Sequence, residues 1–355
     1  MAESNSPQDE WLPDETLPEK LLGPGRLHLW PPLGHTLAKV YRRLQDGDWV
    51  CEVAGNRSVV VRLDEDHLSD LFVALSEALT NREMEDMRAL FKPGADELSV
   101  DDIPKARSLS QLSVLGWSGW LLDMLSEGRL TSHFQPIVWA ANPVEIFAQE
   151  CLVRGIGADG SLVPASVVLK AAKECGVLFQ ADLAARLAAV REVVRHGVKS
   201  NLFINFTPTF VYEPEFCLRS TVEAIDEAGL DRKKIIFEIT ETEVGYVDHL
   251  EDIVDCCREM GFMVALDDLG SGSSSLNLVH RLHPDFVKLD VQLIRGVHAD
   301  PYKAVVTRKV LEMAQELGVK TVVEGVETHE ELHWTRDRGA TFAQGYLFGG
   351  PSALP

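Results

Sequence analysis

The chain has 355 residues, 45% hydrophobic and 25% charged, with a formal net charge of −21. This length predicts one large domain with a smaller partner, and the composition excludes a fibre or a wholly disordered chain. The charge argues against an extended nucleic-acid track or an anionic membrane surface as partner, so a small anionic ligand needs a local reversal of sign, most simply by a divalent cation.

Residues 1–25 begin "MAESNSPQDEWLPDETLPEK", rich in acids and prolines without period, and read as a disordered leader. They hold no apolar signal core, and no later stretch approaches 18 uninterrupted apolar residues, which predicts a cytoplasmic chain that spans no membrane. Six cysteines, at 51, 151, 175, 217, 256 and 257, form no CxxC pair and read as reduced thiols.

Residues 26–108 have the texture of a small α+β regulatory domain. "SVVVRL" (58–63) reads as a strand, "HLSDLFVALSEALT" (67–80) as a helix, and "REMEDMRALF" (82–91) as a second helix. No cyclase, receiver or flavin signature stands here, which leaves a regulatory ligand, a protein partner or dimerisation open. "LSQLSVLGWSGWLLDMLSEGRL" (109–130) reads as an amphipathic connecting helix.

From 131 to 355 short apolar strands alternate with helices. The strands are "HFQPIV", "EIFAQECL", "NLFINF", "KIIFEIT", "FMVALDD", "FVKLD", "TVVEGV" and "FAQGYLF". Glycines 229, 261 and 318 stand as C-caps after three of the helices. About eight strands in this alternation predict a (β/α)8 barrel; a doubly wound sheet is the competing topology, but no GxGxxG follows the first strand.

Polar residues recur at or near the C-terminal ends of these strands: Glu150, Asn205, Glu238, Asp267 with Asp268, Lys288 with Asp290, Glu324 and Gln344. Singly each has an ordinary explanation. An acid after a strand is commonly a helix cap, Asn205 before Pro208 suits a turn, Lys288 can pair with Asp290, and Gln344 before Gly345 can support a turn. Recurrence is what those explanations leave out, because a parallel barrel gathers such positions at the rim where active sites are built. Asp267 and Asp268 point to opposite sides of an ideal strand, yet at a frayed end one can bind a metal while the other bridges to a second. Carboxylates with an amide carbonyl suit Mg²⁺ or Mn²⁺, and a two-metal site of this type points to phosphodiester hydrolysis.

Over about residues 110–352 the sequence resembles the EAL-domain family of cyclic di-GMP phosphodiesterases, with a modified (β/α)8 TIM-like barrel. The resemblance rests on "FQPIV" (134–138), "ECLVRG" (150–155), "NFTP" (205–208), "EITET" (238–242), "DDLGSGSSSL" (267–276), "VKLD" (287–290), "EGVET" (324–328) and "QGYLF" (344–348), in order. It implies that Glu150, Asn205, Glu238 and Asp267 hold one metal ion and that Asp267 and Asp268 reach a second. Lys288 and Glu324 would position or activate water, a role that a burial-lowered lysine pKa would suit, with Gln344 in support. Gln135, Leu152 and Arg154 would contact substrate, and Glu241 would tether the 268–275 loop at a homodimer interface. The implied reaction is hydrolysis of cyclic di-GMP to linear pGpG. Its rivals are a non-catalytic cyclic di-GMP receptor acting through a protein partner and a two-metal enzyme for another substrate. Three positions depart from the family pattern: Cys151 for alanine, Leu269 for phenylalanine and Ser273 for tyrosine.

Overall fold

The computed structural model describes residues 17–18, 20–55, 57–63, 67–94, 98–207, 214–240, 247–270 and 275–354. The chain divides into two compact units, Thr16–Glu127 with Ser166–Ala181, and Gly128–Ala165 with Asp182–Pro355.

In the first unit β1 (Gly25–Trp30), α1 (Gly34–Asp46), β2 (Cys51–Ala54), β3 (Ser58–Leu63), α2 (Leu68–Ala78), α3 (Asn81–Asp86), β4 (Arg88–Pro93) and β5 (Arg107–Ser108) follow one another. The sheet order is β2-β3-β1-β4-β5, antiparallel throughout. The first four strands with α1 and α2 make two interleaved split β-α-β units, the ferredoxin-like arrangement. Strand alternation places Leu27, Leu29, Val59, Val61, Ala89 and Phe91 on one buried face. Buried Val40 and Leu44 of α1 and Leu71, Phe72 and Leu75 of α2 complete this core.

Two helix expectations are corrected here. "REMEDMRALF" is helical only through Asp86, where a Thr80–Glu83 capping box starts α3; its second half is β4, bonded along its length to β1. Long-range pairing overrides the local helical pattern. The segment 109–130 is two helices, α4 (Leu109–Trp117) and α5 (Gly119–Ser126), broken at Ser118, whose ψ of 29° leaves the helical region. α6 (Ala165–Cys175) also packs in this unit, where Arg107 Nη1 donates to the carbonyls of Cys175 and Gly176 at 2.9 and 3.1 Å.

The second unit is the barrel. Its strands are β6 (Leu130–Trp139), β7 (Asn142–Ile156), the two-residue β8 (Leu162–Val163), β9 (Asn201–Phe206), β10 (Ile235–Thr240), β11 (Met263–Leu269), β12 (Phe286–Leu289), β13 (Lys320–Val323) and β14 (Phe342–Gln344). Eight of them close a ring, β6-β14-β13-β12-β11-β10-β9-β7, through the β6–β7 pairing, and β8 is an appendage on β7. Within the ring all neighbours run parallel except β6, which is antiparallel to both β7 and β14; β8 is antiparallel to β7. Between and after the strands lie α7 (Leu178–His196), α8 (Pro214–Glu227), α9 (Val247–Glu259), α10 (Ser275–Leu282), α11 (Val291–Ile294), α12 (Pro301–Leu317) and α13 (His329–Arg336). α12 shows the sequence signals at both ends: Asp300 accepts from the Tyr302 and Lys303 amides, Pro301 occupies the first turn, and Gly318 closes the helix at φ 72°. Gly229 and Gly261 also adopt positive φ, as C-caps require.

One residue from each of the eight strands fills the barrel interior: Ile137, Ala148, Phe203, Ile236, Ala265, Phe286, Val322 and Phe342, all fully buried. This apolar layer is the floor of the site.

Candidate active site

The period of a β-strand is two, so the residue two positions along each strand points the same way as its floor residue, one layer higher. Counting two from the floor toward the barrel mouth reaches Glu150 from Ala148, Asn205 from Phe203, Glu238 from Ile236 and Asp267 from Ala265. The same step reaches Lys288 from Phe286, Glu324 from Val322 and Gln344 from Phe342. β6 runs the other way, so its equivalent is Gln135, two before Ile137, and Gln135 is in register with Glu150. Eight strands thus place eight polar side chains in one ring. Leu152 and Arg154 continue the same face of β7 one and two layers above Glu150.

Lys288 occupies the centre, 1% exposed. Its Nζ lies 2.7 Å from Glu238 Oε1, 2.7 Å from Glu324 Oε1, 3.3 Å from Asp267 Oδ1 and 3.5 Å from Glu150 Oε1. It does not pair with Asp290, whose carboxylate caps α11 through the Gln292 amide at 2.7 Å. The expectation of a lysine with a lowered pKa is overturned: burial opposes its charge, but Asp267, Glu150, Glu238 and Glu324 together hold it well above the ordinary lysine value. In the cation-free ring the four carboxylates thus favour the charged form of Lys288.

One ammonium does not neutralise the ring. Glu150, Glu238, Asp267, Asp268 and Glu324 carry five negative charges when ionised against one positive, a net of −4. Protons hold part of this excess. Burial drives Glu238 well above the carboxylate range, Glu324 is pushed up to about 8 by burial, and Asp268 is raised by burial and by Asp267.

The difficulty of two adjacent aspartates on one strand is resolved by the backbone. Asp268 sits at φ 58°, a left-handed conformation that Asp tolerates better than most residues, and the β11–β12 register slips between Leu266 and Leu269. The bulge turns both carboxylates toward Glu324, and oxygens of Asp267, Asp268 and Glu324 come within 4.8 Å of one another. Leu269 is itself buried at 1% and pairs with Leu289, so the leucine at this departure serves the barrel wall.

The donor set fits a hard divalent cation. Glu238 Oε1 meets Lys288 Nζ at 2.7 Å, while Glu238 Oε2, fully buried, and Gln344 Oε1 have no hydrogen-bond partner among the described residues. Buried oxygens without partners are what a coordinating ion satisfies. Gln344 Nε2 donates to Glu150 Oε2 and, at 3.2 Å, to Gln135 Oε1, while Gln135 Nε2 donates to the Gly349 carbonyl at 3.2 Å. The turn after Gln344 is tight. At Gly345, φ 157°, a Cβ would lie 2.1 Å from the Val326 carbonyl oxygen, and the Val326 amide donates to the Gln344 carbonyl at 3.0 Å.

Two supporting elements escaped the sequence reading. Glu331, 3% exposed, accepts from the backbone amides of Gly296, Glu327 and Thr328 at 2.8, 2.9 and 3.1 Å, and so sets the loop that follows Glu324. Its signal in the sequence is the Thr328-x-x-Glu331 capping box. Asp182 and Arg186 form a buried ion pair on α7. Arg186 also donates to Thr221 Oγ1 at 3.0 Å and lies over the Phe206 ring, and Asp182 accepts from the Thr207 amide at 3.3 Å, two residues beyond Asn205. Arg154 donates to its neighbour's carbonyl, Val153 O, at 2.7 Å. Glu241 and Ser273 lie outside the described residues.

Residues 118–351 match the family model described as EAL domain. A probable cyclic di-GMP phosphodiesterase, PdeG of Escherichia coli, is 28% identical over 234 residues, covering 64% of this chain and 45% of its own. The cyclic di-GMP phosphodiesterase RocR of Pseudomonas aeruginosa is 30% identical over 233 residues, covering 64% and 58%. The chain thus spans about half the length of these curated relatives. A standalone versatile EAL protein from Vibrio cholerae, solved with c-di-GMP bound, is 36% identical with a TM-score of 0.59, covering 64% of this chain and 94% of that one. Klebsiella pneumoniae BlrP1 shares the fold across 93% of this chain and 96% of its own, at 23% identity and a TM-score of 0.57. With two thirds of its residues matched, the barrel of this chain belongs to the EAL-domain family.

Proposed function

We propose that the chain is a divalent-cation-dependent phosphodiesterase that hydrolyses cyclic di-GMP to linear pGpG. The observation that carries this reading is the set of four carboxylates that meet one buried lysine, with Asp268 beside Asp267 and Glu324 and with Glu238 Oε2 lacking a partner among the described residues. Glu150, Asn205, Glu238 and Asp267 would hold one Mg²⁺ or Mn²⁺ ion, and Asp267 and Asp268 a second. Two such ions add +4, which balances the −4 of the ionised ring. When bound, they supply charge neutralisation at a phosphodiester and a lowered water pKa. Glu324, exposed at 19% where Lys288 is closed off, is the side chain placed to accept a proton from an incoming water. Lys288 meets and orients Glu324 and Glu238, and Gln344, which also donates to Gln135 Oε1, holds the Glu150 carboxylate. Arg154, above the ring, suits a phosphate through its planar fork, with Leu152 against the base or ribose and Gln135 as a further contact.

Homodimerisation, cytoplasmic location, and regulation by an N-terminal domain at 26–108, joined through 109–130 to an EAL barrel at 131–355, are parts of the same proposal. So are a tether from Glu241 to the 268–275 loop and a leader at 1–25. Arg107, whose guanidinium binds the C-terminal carbonyls of α6, supports regulation, because α6 follows directly on the β7 and β8 segment that carries Glu150. Among the described residues no helix is long and apolar enough to cross a membrane.

The test is incubation of purified protein with cyclic di-GMP and Mg²⁺, Mn²⁺ or EDTA, followed by chromatography of the nucleotides. Linear dinucleotide formed only with metal is the expected result. Cyclic di-GMP that binds but stays intact with either metal overturns catalysis and leaves a receptor.

A further inference from the structure

A cavity of about 590 Å³ lies within the N-terminal unit on the sheet face turned away from α1 and α2. Its floor is Trp30 of β1 with Arg88 and Leu90 of β4; its other wall is the segment 98–106, a strap containing the 3₁₀ turn Val100–Lys105. β4 ties the strap at two points. Lys92 Nζ donates to Asp102 Oδ2 at 2.7 Å, and Arg88 Nη2 donates to the Ala106 carbonyl. Between the two ties the strap stands off the sheet.

The lining is mostly apolar, and Val100 and Ile103 on the strap are 79% and 68% exposed, a rim that water covers poorly. Three features point to what the cavity takes. Its volume is that of small-molecule sites, too small for a folded partner. Trp30 offers a flat ring stacked at 19° on His28, which is 8% exposed and whose Nε2 has no hydrogen-bond partner among the described residues. Among the described residues Arg88 donates to the Ala106 carbonyl and makes no ion pair, whereas Asp102, the other charged lining residue, already pairs with Lys92 at 2.7 Å and Lys105 at 4.0 Å. Of the two charged residues that line the cavity, Arg88 is therefore the one without an ion pair among the described residues.

We propose that this cleft binds a planar aromatic small molecule with a single acidic group, its ring on Trp30 and its acid at Arg88. The site is separate from the barrel ring and independent of the proposed phosphodiesterase activity.

The probe is 8-anilinonaphthalene-1-sulfonate, an aromatic monoanion, titrated by fluorescence into the intact chain, with the neutral N-phenyl-1-naphthylamine as control. Arg88→Met removes the charge and Ile103→Asp, at an exposed position, spoils the apolar wall. The wild type should bind the anion one to one. R88M should weaken the anion about tenfold, the equivalent of one charge-assisted contact, and leave the neutral probe within about twofold. I103D should weaken both at least about tenfold. Far-UV circular dichroism checks both folds, and I103D decides the site if R88M is misfolded. Absence of binding, or binding unchanged in I103D, overturns the proposal. So does sedimentation that shows a dimer which excludes the probe and which I103D dissociates, because a second copy then covers the face.

Discussion

Replacing Lys288 by methionine isolates the electrostatics of the barrel ring. Methionine keeps the length and apolar stem of lysine but removes the charge that meets two carboxylates at 2.7 Å and two more at 3.3 and 3.5 Å. With Lys288 gone, Glu238, fully buried, faces the remaining carboxylates without any cation. Removing one partner of a buried pair costs about 3–5 kcal/mol, which corresponds to a fall in melting temperature of about 6–20 °C. The carboxylates relieve part of this by taking up protons, so the loss should be larger at pH 8 than at pH 5. Melting by circular dichroism in EDTA, followed by repeats with millimolar Mg²⁺ or Mn²⁺, measures it. The divalent ion should recover more stability in the variant than in the wild type, because it supplies the missing charge. A K288M protein that melts in EDTA with the wild type at both pH values would refute the reasoning, since Lys288 would then not be what holds the ring together.

Other outcomes follow from the same geometry. Asp268→Asn should leave the melting temperature nearly unchanged, since asparagine tolerates φ 58°, yet reduce turnover of cyclic di-GMP at least about 10³-fold; unchanged activity of the purified variant sinks the two-metal assignment. Asp268→Val should in addition lose about 1–2 kcal/mol in urea unfolding, because a β-branched residue is strained there. In the cation-free protein Glu324 is pushed up to about 8 from an ordinary 4.5, so it holds a proton in the fold that the unfolded chain has released. Its contribution to stability is full below about pH 4.5 and is lost as pH rises toward 8; melting between pH 5 and 8.5 in EDTA should decline, and the decline should be shallower in Glu324→Gln. Asp182→Ala leaves the Arg186 guanidinium buried without its partner and should cost about 3–5 kcal/mol by chemical denaturation, part of which Arg186→Met added to it returns. Gly345→Ala puts a methyl 2.1 Å from the Val326 carbonyl oxygen, so melting and turnover should fall together.

What the sequence by itself determined is the set of elements whose signal is local. Each barrel strand is a short apolar run with a polar residue at its end, and Gly229, Gly261 and Gly318 mark helix ends through a conformation only glycine adopts readily. The barrel and the identity of nearly all the ring residues were legible for that reason: a period of two is written along a single strand. What only the tertiary structure decided depends on residues far apart in the chain. β4 is a strand because β1 offers it a ladder, although "REMEDMRALF" is patterned as helix. The pKa of Lys288 rises because four carboxylates from β7, β10, β11 and the end of β13 converge on it, where burial alone would lower it. Asp267 and Asp268 face one way because the β11–β12 register slips beneath them, and the cleft under the 98–106 strap exists because β4 ties that strap at Asp102 and Ala106. Local pattern names the side chains that carry charge; only their three-dimensional neighbours decide which charge each one keeps.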